Sequence, residues 1–189
     1  MNAPAVETIY LDMDGVCCDF FGSVFRAMGR AFPPDTWPTR GADLPEIFGI
    51  PEPEFWSEVY RRNPELWAAM PEFPWFSSLV HDLRKIAPVV FLSAPAVHAE
   101  SVAGKVRWLQ ERFGPLFEEY IITARKADVA RPGRLLVDDD AAVCEEFRRA
   151  GGQALVFPQP WNAAAGNASE LVKDVPGWIS SSLEAVTGC

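Results

Sequence analysis

Few cysteines, almost no histidine and no excess of basic residues exclude several readings of this 189-residue chain before any motif is considered. The four cysteines fall at Cys17, Cys18, Cys144 and Cys189. They form no CxxC pair for zinc or redox chemistry and no pattern suited to a disulfide framework, so reduced thiols packed as small hydrophobes are expected. His81 and His98 lie in helix-like segments without ligand spacing and are expected to be structural or surface residues. A formal net charge of −9 argues against general nucleic-acid binding, which neutralises phosphates with basic surface. No apolar run reaches the roughly 18 residues of a membrane span. The opening MNAPAVET lacks the apolar stretch of a signal peptide, so a cytoplasmic location is expected. No internal repeat or low-complexity segment is evident.

Hydrophobic residues make up 49% of the chain, enough for one packed domain with a small inserted subdomain. Five short apolar runs read as strands, at 7–12, 88–93, 120–123, 134–139 and 153–157. They are nearly continuous in apolar residues, as in parallel strands covered on both faces. Helical periodicity follows at 97–112 and 141–150, and a last helix at roughly 168–186 is expected to break near Pro176-Gly177. Alternating strands and helices predict a doubly wound parallel α/β sheet.

The segment 20–76 departs from this alternation. It holds no convincing strand, and VCCDFFGSVFRAMGRAF, EPEFWSEVYRR and PELWAAM all read as helical. A helical cap over 20–76 is expected, inserted after the first strand into a core of 1–19 and 77–189. Most of Trp37, Phe55, Trp56, Trp67, Phe73 and Trp75 should serve the cap's own packing, leaving one or two for stacking on a base.

Chemistry collects at the strand ends, where open α/β sheets bind their ligands. The first strand ends in Asp12-Met13-Asp14, the second in Ser93 and the fourth in Asp138-Asp139-Asp140, while the third runs into Arg125-Lys126. Buried carboxylates are costly without a partner. Asp12 with Asp138 or Asp139 offers hard oxygen ligands suited to Mg²⁺. A carboxylate can attack phosphorus to give an aspartyl-phosphate, and Asp14 could protonate the leaving alkoxide and later activate water. Lys126 and the metal would neutralise the transferring phosphoryl group, and so let an acidic chain bind a phosphate ester. Asp140 is expected to serve the following helix N-terminus.

DMDGV, Ser93, Lys126 and the acidic pair, in that order, resemble the four motifs of the haloacid dehalogenase-like phosphohydrolases. DMDGVCCDF, GKVRWLQERFGPLFEEYIITARK (104–126) and RLLVDDD are similar to stretches of the 5′(3′)-deoxyribonucleotidases, and the resemblance spans about residues 7–21 and 88–162. It implies a Rossmann-like core with a helical cap, Mg²⁺ as cofactor and a small phosphate ester, a nucleoside monophosphate above all, as substrate; nucleic acid and membrane are not expected as partners, and a homodimer is compatible. Asp12 would be nucleophile and metal ligand, and Asp14 the general acid/base, with its backbone carbonyl on the metal. Ser93 would bond the phosphoryl oxygens, and Lys126 would bind phosphate and nucleophile. Asp138 would be a further metal ligand, with Asp139 beside it as ligand or water-holder. Lys105 matches a lysine near the substrate phosphate, and Phe20 an aromatic near the base. Ala94 stands where the family has a second hydroxyl, and with Arg125 it is taken as a substrate-contact position. A phosphatase for another small metabolite and a non-catalytic phosphate-binding protein are the alternatives; the presence of both Asp12 and Asp14 disfavours the second.

Overall fold

The computed structural model describes residues 6–33, 43–162, 164 and 167–187; Trp37 and Cys189 lie outside them. All five expected strands form: β1 (Thr8–Leu11), β2 (Val89–Ser93), β3 (Tyr120–Ile122), β4 (Arg134–Asp138) and β5 (Gln153–Val156). They make one parallel sheet in the order β3-β2-β1-β4-β5, with Ile9 in register with Val89 on one side and Leu135 on the other.

Alternation along each strand feeds two apolar layers. Ile9, Leu11, Phe91, Leu135 and Val137 join the larger cluster, together with Leu79 and Leu83 of α4 (Phe76–Ile86) and Trp108 of α5 (Glu100–Phe113). Tyr10, Leu92, Leu136 and Ala154 face the other way, onto Cys144 and Phe147 of α6 (Ala141–Arg149). Both faces are covered, which is why the strands show no polar alternation. The doubly wound α/β fold is as expected.

Three helical expectations change. α1 spans only Phe20–Ala27, because the Asp19 carboxylate accepts from Gly22 N and caps it there. Residues 64–69 form turns rather than a helix, too short a run to close a helical nucleus on its own. This turn lies against α5, where a Cβ on Gly104 would come within 2.7 Å of the Trp67 Cβ. The C-terminal break falls at 172–174, between α7 (Ala168–Leu171) and α8 (Val175–Thr187), rather than at Pro176. Proline is tolerated in a first helical turn, and Asp174 accepts from Gly177 N there.

Between β1 and α4 the chain makes a helical excursion through α1, α2 (Leu44–Phe48) and α3 (Glu52–Arg62). Its outgoing and returning segments run side by side. Asp19 N donates to Pro71 O at 2.9 Å, Phe73 N donates to Cys17 O at 3.0 Å, and Cys18 and Glu72 form an antiparallel bridge. The Trp75 indole donates to Val16 O at 2.9 Å and the Trp108 indole to Met70 O at 2.8 Å, so two tryptophans pin this crossing to the core. Phe55 and Trp67 are buried as packing residues, while Trp56, Phe73 and Trp75 keep part of their surface.

Candidate active site

The carboxyl ends of β1, β2 and β4 meet at one edge with the start of the short 3₁₀ turn Lys126–Val129. Asp12 is the first residue past β1, and its N–H still joins the ladder, donating to Val137 O at 2.9 Å. The chain then turns at once: Cys17 N and Cys18 N both donate to Met13 O, and Gly15 takes φ +81°. A side chain could not stand at Gly15, since a Cβ there would lie 2.2 Å from Asp139 Oδ2.

Two buried lysines organise the acids. Lys126 Nζ lies 2.6 Å from Asp12 Oδ1 and 2.7 Å from Asp138 Oδ2. Lys105, 2% exposed, reaches from α5 to Asp14 Oδ2 at 2.9 Å, Ser93 Oγ at 3.0 Å and Ala94 O at 2.5 Å. One lysine thus ties Asp12 to Asp138, and the other ties Asp14 to the end of β2. Asp138 Oδ1 accepts from Asp140 N at 2.9 Å, and the Asp140 side chain caps α6 through Ala142 N and Val143 N.

Burial dominates the electrostatics. It pushes Asp138 up to about 6, helped by the charge of Asp12 and opposed by Lys126. Asp139 is raised well above the usual carboxylate range, by burial and then by its neighbours Asp138 and Asp12. Burial also raises Asp14, with Lys105 offsetting part of the effect. Although burial pulls Lys126 down, the carboxylates of Asp12 and Asp138 hold its ammonium above the ordinary lysine range. Cys17 and Cys18 are pushed up by burial, so both thiols stay protonated and pack as hydrophobes.

Asp12, Asp138 and Asp139 each place a carboxylate oxygen so that all three lie within 4.8 Å of one another. Among the described residues, Lys126 is the ammonium that pairs with this cluster, and it reaches two of the three acids, Asp12 and Asp138, while the donor set is hard oxygen throughout. The residues therefore fit a divalent cation such as Mg²⁺. The Asp14 side chain is not in this cluster.

A cavity of about 760 Å³ opens above the acids. Asp12, Asp14, Ser93, Ala94, Lys105 and Lys126 line one part of it; Phe20, Phe21 and Trp56 line another from the helical excursion. Phe20 stacks on Trp56, with centroids 6.2 Å apart and planes at 25°. Arg125 is not brought to the site: its side chain is 79% exposed, pairs with Asp128 and does not line the cavity.

The loop after β5 was not anticipated. The Trp161 indole N–H donates to Asp139 Oδ2, Asn162 Nδ2 donates to Asp139 O and Phe157 O, and Gln159 Nε2 donates to Gly15 O. These neutral donors follow a strand end, where the same rule that located the acids would have found them; a search limited to charged groups passes over FPQPWN.

This sheet order, with its acids and lysines at the carboxyl edge, defines a hydrolase of the haloacid dehalogenase type. Solved structures agree on the fold. A haloacid dehalogenase-like family hydrolase from Streptococcus pneumoniae is 16% identical with a TM-score of 0.54, covering 89% of this chain and 90% of its own. A family hydrolase from Deinococcus radiodurans with bound phosphate and sodium is 13% identical with a TM-score of 0.51, covering 91% and 89%. Protein Tyrosine Kinase A of Mycobacterium tuberculosis is 17% identical at 0.57, covering 88% and 89%. Residues 6–171 match the family described as 5′ nucleotidase, deoxy (Pyrimidine), cytosolic type C protein, and the chain belongs to it. It is a phosphatase of the nucleotidase class. The human cytosolic-type 5′(3′)-deoxyribonucleotidase is 27% identical over 144 residues, covering 71% of each chain.

Proposed function

We propose that the enzyme is a Mg²⁺-dependent phosphomonoesterase that dephosphorylates deoxynucleoside monophosphates through an aspartyl-phosphate on Asp12. The observation that carries the substrate class is the charge of the cavity. Among the described residues lining it, the only basic ones are Lys105 and Lys126, and both sit at the acid cluster and the end of β2, where the phosphoryl group itself would bind. Beyond the acid cluster the charged lining is still acidic: Asp43 and Glu52 come from the same excursion as the rings of Phe20 and Trp56, and Asp140 and Glu146 from the α6 side. A leaving group with a second phosphate or a carboxylate would meet acids there. A neutral, flat nucleoside would meet rings, and stacking a base on an aromatic contributes about 1–3 kcal/mol.

Each residue then has a chemical task. Lys126 holds Asp12 Oδ1, leaving its second oxygen to attack phosphorus. The bond to the leaving alkoxide breaks as Asp14 supplies its proton, a role suited to a carboxyl whose burial favours the protonated form. Asp14 then takes a proton from water, which attacks the phosphorus and releases Asp12. Ser93 and Lys105 would hold the phosphoryl oxygens from the β2 side. A cation held by Asp12, Asp138 and Asp139 would supply charge neutralisation on the phosphoryl group. A cytoplasmic location belongs to the same reading, supported by the description of the family; among the described residues no helix is long and apolar enough to cross a membrane.

Phosphate release across deoxy- and ribonucleoside 5′- and 3′-monophosphates, sugar phosphates and sugar bisphosphates, in Mg²⁺ and in EDTA, tests this reading. Metal-dependent turnover of deoxynucleotides and rejection of bisphosphates are expected. Turnover of sugar phosphates alone would overturn the nucleotide assignment, and full activity in EDTA would overturn the metal.

The raised acids also predict how the metal acts on stability. Asp138 titrates near 4 when unfolded and at about 6 in the folded chain, so the folded state binds the proton more tightly. Its stabilising contribution is complete below pH 4 or so and is lost as pH rises through about 6. A cation opposes that loss only once the acids are ionised. Mg²⁺ should therefore raise the melting temperature more at pH 8 than at pH 5, compared with EDTA. An equal shift at both values would contradict ionised carboxylates as the ligands.

A further inference from the structure

Trp161 joins two features that are otherwise separate. Its indole N–H donates to Asp139 Oδ2, and its ring lies against Phe21 at 4.3 Å and edge-on to Phe32 at 5.9 Å. Phe21 in turn meets Phe20 at 5.5 Å, and Phe20 stacks on Trp56. One side chain therefore touches both the acid cluster and the aromatic wall of the cavity. The indole is the only hydrogen-bond donor to the Asp139 carboxylate among the described residues. The same Oδ2 also lies close to Gly15, where an added Cβ would come within 2.2 Å of it and 3.0 Å of the Trp161 ring.

We propose that Trp161 is a positioning residue: its N–H fixes the Asp139 carboxylate for the cation, and its ring joins that carboxylate to the aromatic wall. The inference rests on the metal reading given above. With Oδ2 held by the indole N–H and confined at a position that admits no side chain, Oδ1 is presented in a set direction. Loss of a partner behind a metal ligand typically lowers metal affinity about 10–100-fold. Asp139 Oδ1 accepts no hydrogen bond from the described residues and is the oxygen left for the ion.

The test is a Mg²⁺ titration by calorimetry at pH 8 on the parent protein, Trp161→Phe and Trp161→His, with melting curves in EDTA. Phenylalanine keeps a ring against Phe21 and removes the donor. Histidine keeps a five-membered ring with an N–H at the matching position and removes the large ring. The expected result is Mg²⁺ binding weakened about 10–100-fold in Trp161→Phe and largely restored in Trp161→His. Turnover of Trp161→Phe should recover at saturating Mg²⁺, so the loss is read in the metal dependence. Parent-like binding in Trp161→Phe overturns the proposal, and so does equal weakening in both variants, which would place the effect in packing. If Trp161→Phe fails to fold, Trp161→His decides alone: near-parent binding supports the donor role, and weak binding overturns it. A parent protein that binds no Mg²⁺ fails the metal reading itself, and is distinguished by that arm.

Discussion

Asp12→Asn is expected to reduce phosphate release by on the order of 10⁴-fold or more, the scale seen when a covalent nucleophile is removed. The amide is a poor nucleophile and a poor ligand for a hard cation, so two roles are lost in one change. The protein should nevertheless fold. Asp12 is one of three buried acids crowded within 4.8 Å, and Lys126 keeps its 2.7 Å partner in Asp138 when Asp12 becomes neutral. Removing one charge from such a cluster relieves repulsion, so melting in EDTA should hold or rise. The measurement is phosphate release at saturating Mg²⁺ beside a melting curve. Activity within about tenfold of the parent, a barrier change of only about 1.4 kcal/mol, would overturn the covalent mechanism.

Lys126→Met should be damaging in a different way. Its ammonium is the shared counter-ion of Asp12 and Asp138, at 2.6 and 2.7 Å, and all three groups are buried. Removing one member of a buried ionic set leaves uncompensated charge, which typically costs about 3–5 kcal/mol. The variant should melt well below the parent in EDTA and recover part of that loss in Mg²⁺, because the cation can neutralise the same two acids. Turnover should fall about 10²–10³-fold even when folded, the usual effect of deleting a group that stabilises developing charge. Adding Asp12→Asn to Lys126→Met should restore stability, since it removes one of the stranded charges. Purely additive losses in the double variant would show that the two residues do not act as a pair.

Much of this arrangement was legible in the sequence for a physical reason. The strands are buried on both faces, so Ile9 to Leu11 and Leu135 to Val137 read as unbroken apolar runs. A parallel sheet also brings successive strand ends to one edge, so Asp12, Ser93 and Asp138 could be associated without any contact information. What escaped depended on contacts distant in sequence. PELWAAM has helical composition, but Trp67 and Ala68 settle against the bare backbone of Gly104, a neighbour supplied by another helix. Arg125 reads in the sequence as a substrate-contact position beside Lys126, yet a one-residue step at the start of a 3₁₀ turn sends it to Asp128 and solvent. Among the cap aromatics, Trp56 lines the cavity while Phe55 beside it is fully buried, a difference of helix face rather than of residue type. Trp161 was passed over because its part in the site runs through a neutral donor.

The crossing of residues 17–19 with 71–73 bears on how such an enzyme can change. Paired strands lie about 5 Å apart, so the helical excursion leaves and rejoins the core side by side at this crossing. Any folded unit whose own ends meet at that spacing could be spliced in there without shifting the register of one strand, as domain insertions generally require. On the proposed reading, the segment that faces the leaving group could thus be exchanged, enlarged or trimmed as a cassette, provided the replacement returns a ring to Trp161 in place of Phe21. A chimera that carries a foreign cap between Cys18 and Glu72, with an aromatic ring kept against Trp161, would inherit the chemistry of one parent and the appetite of the other.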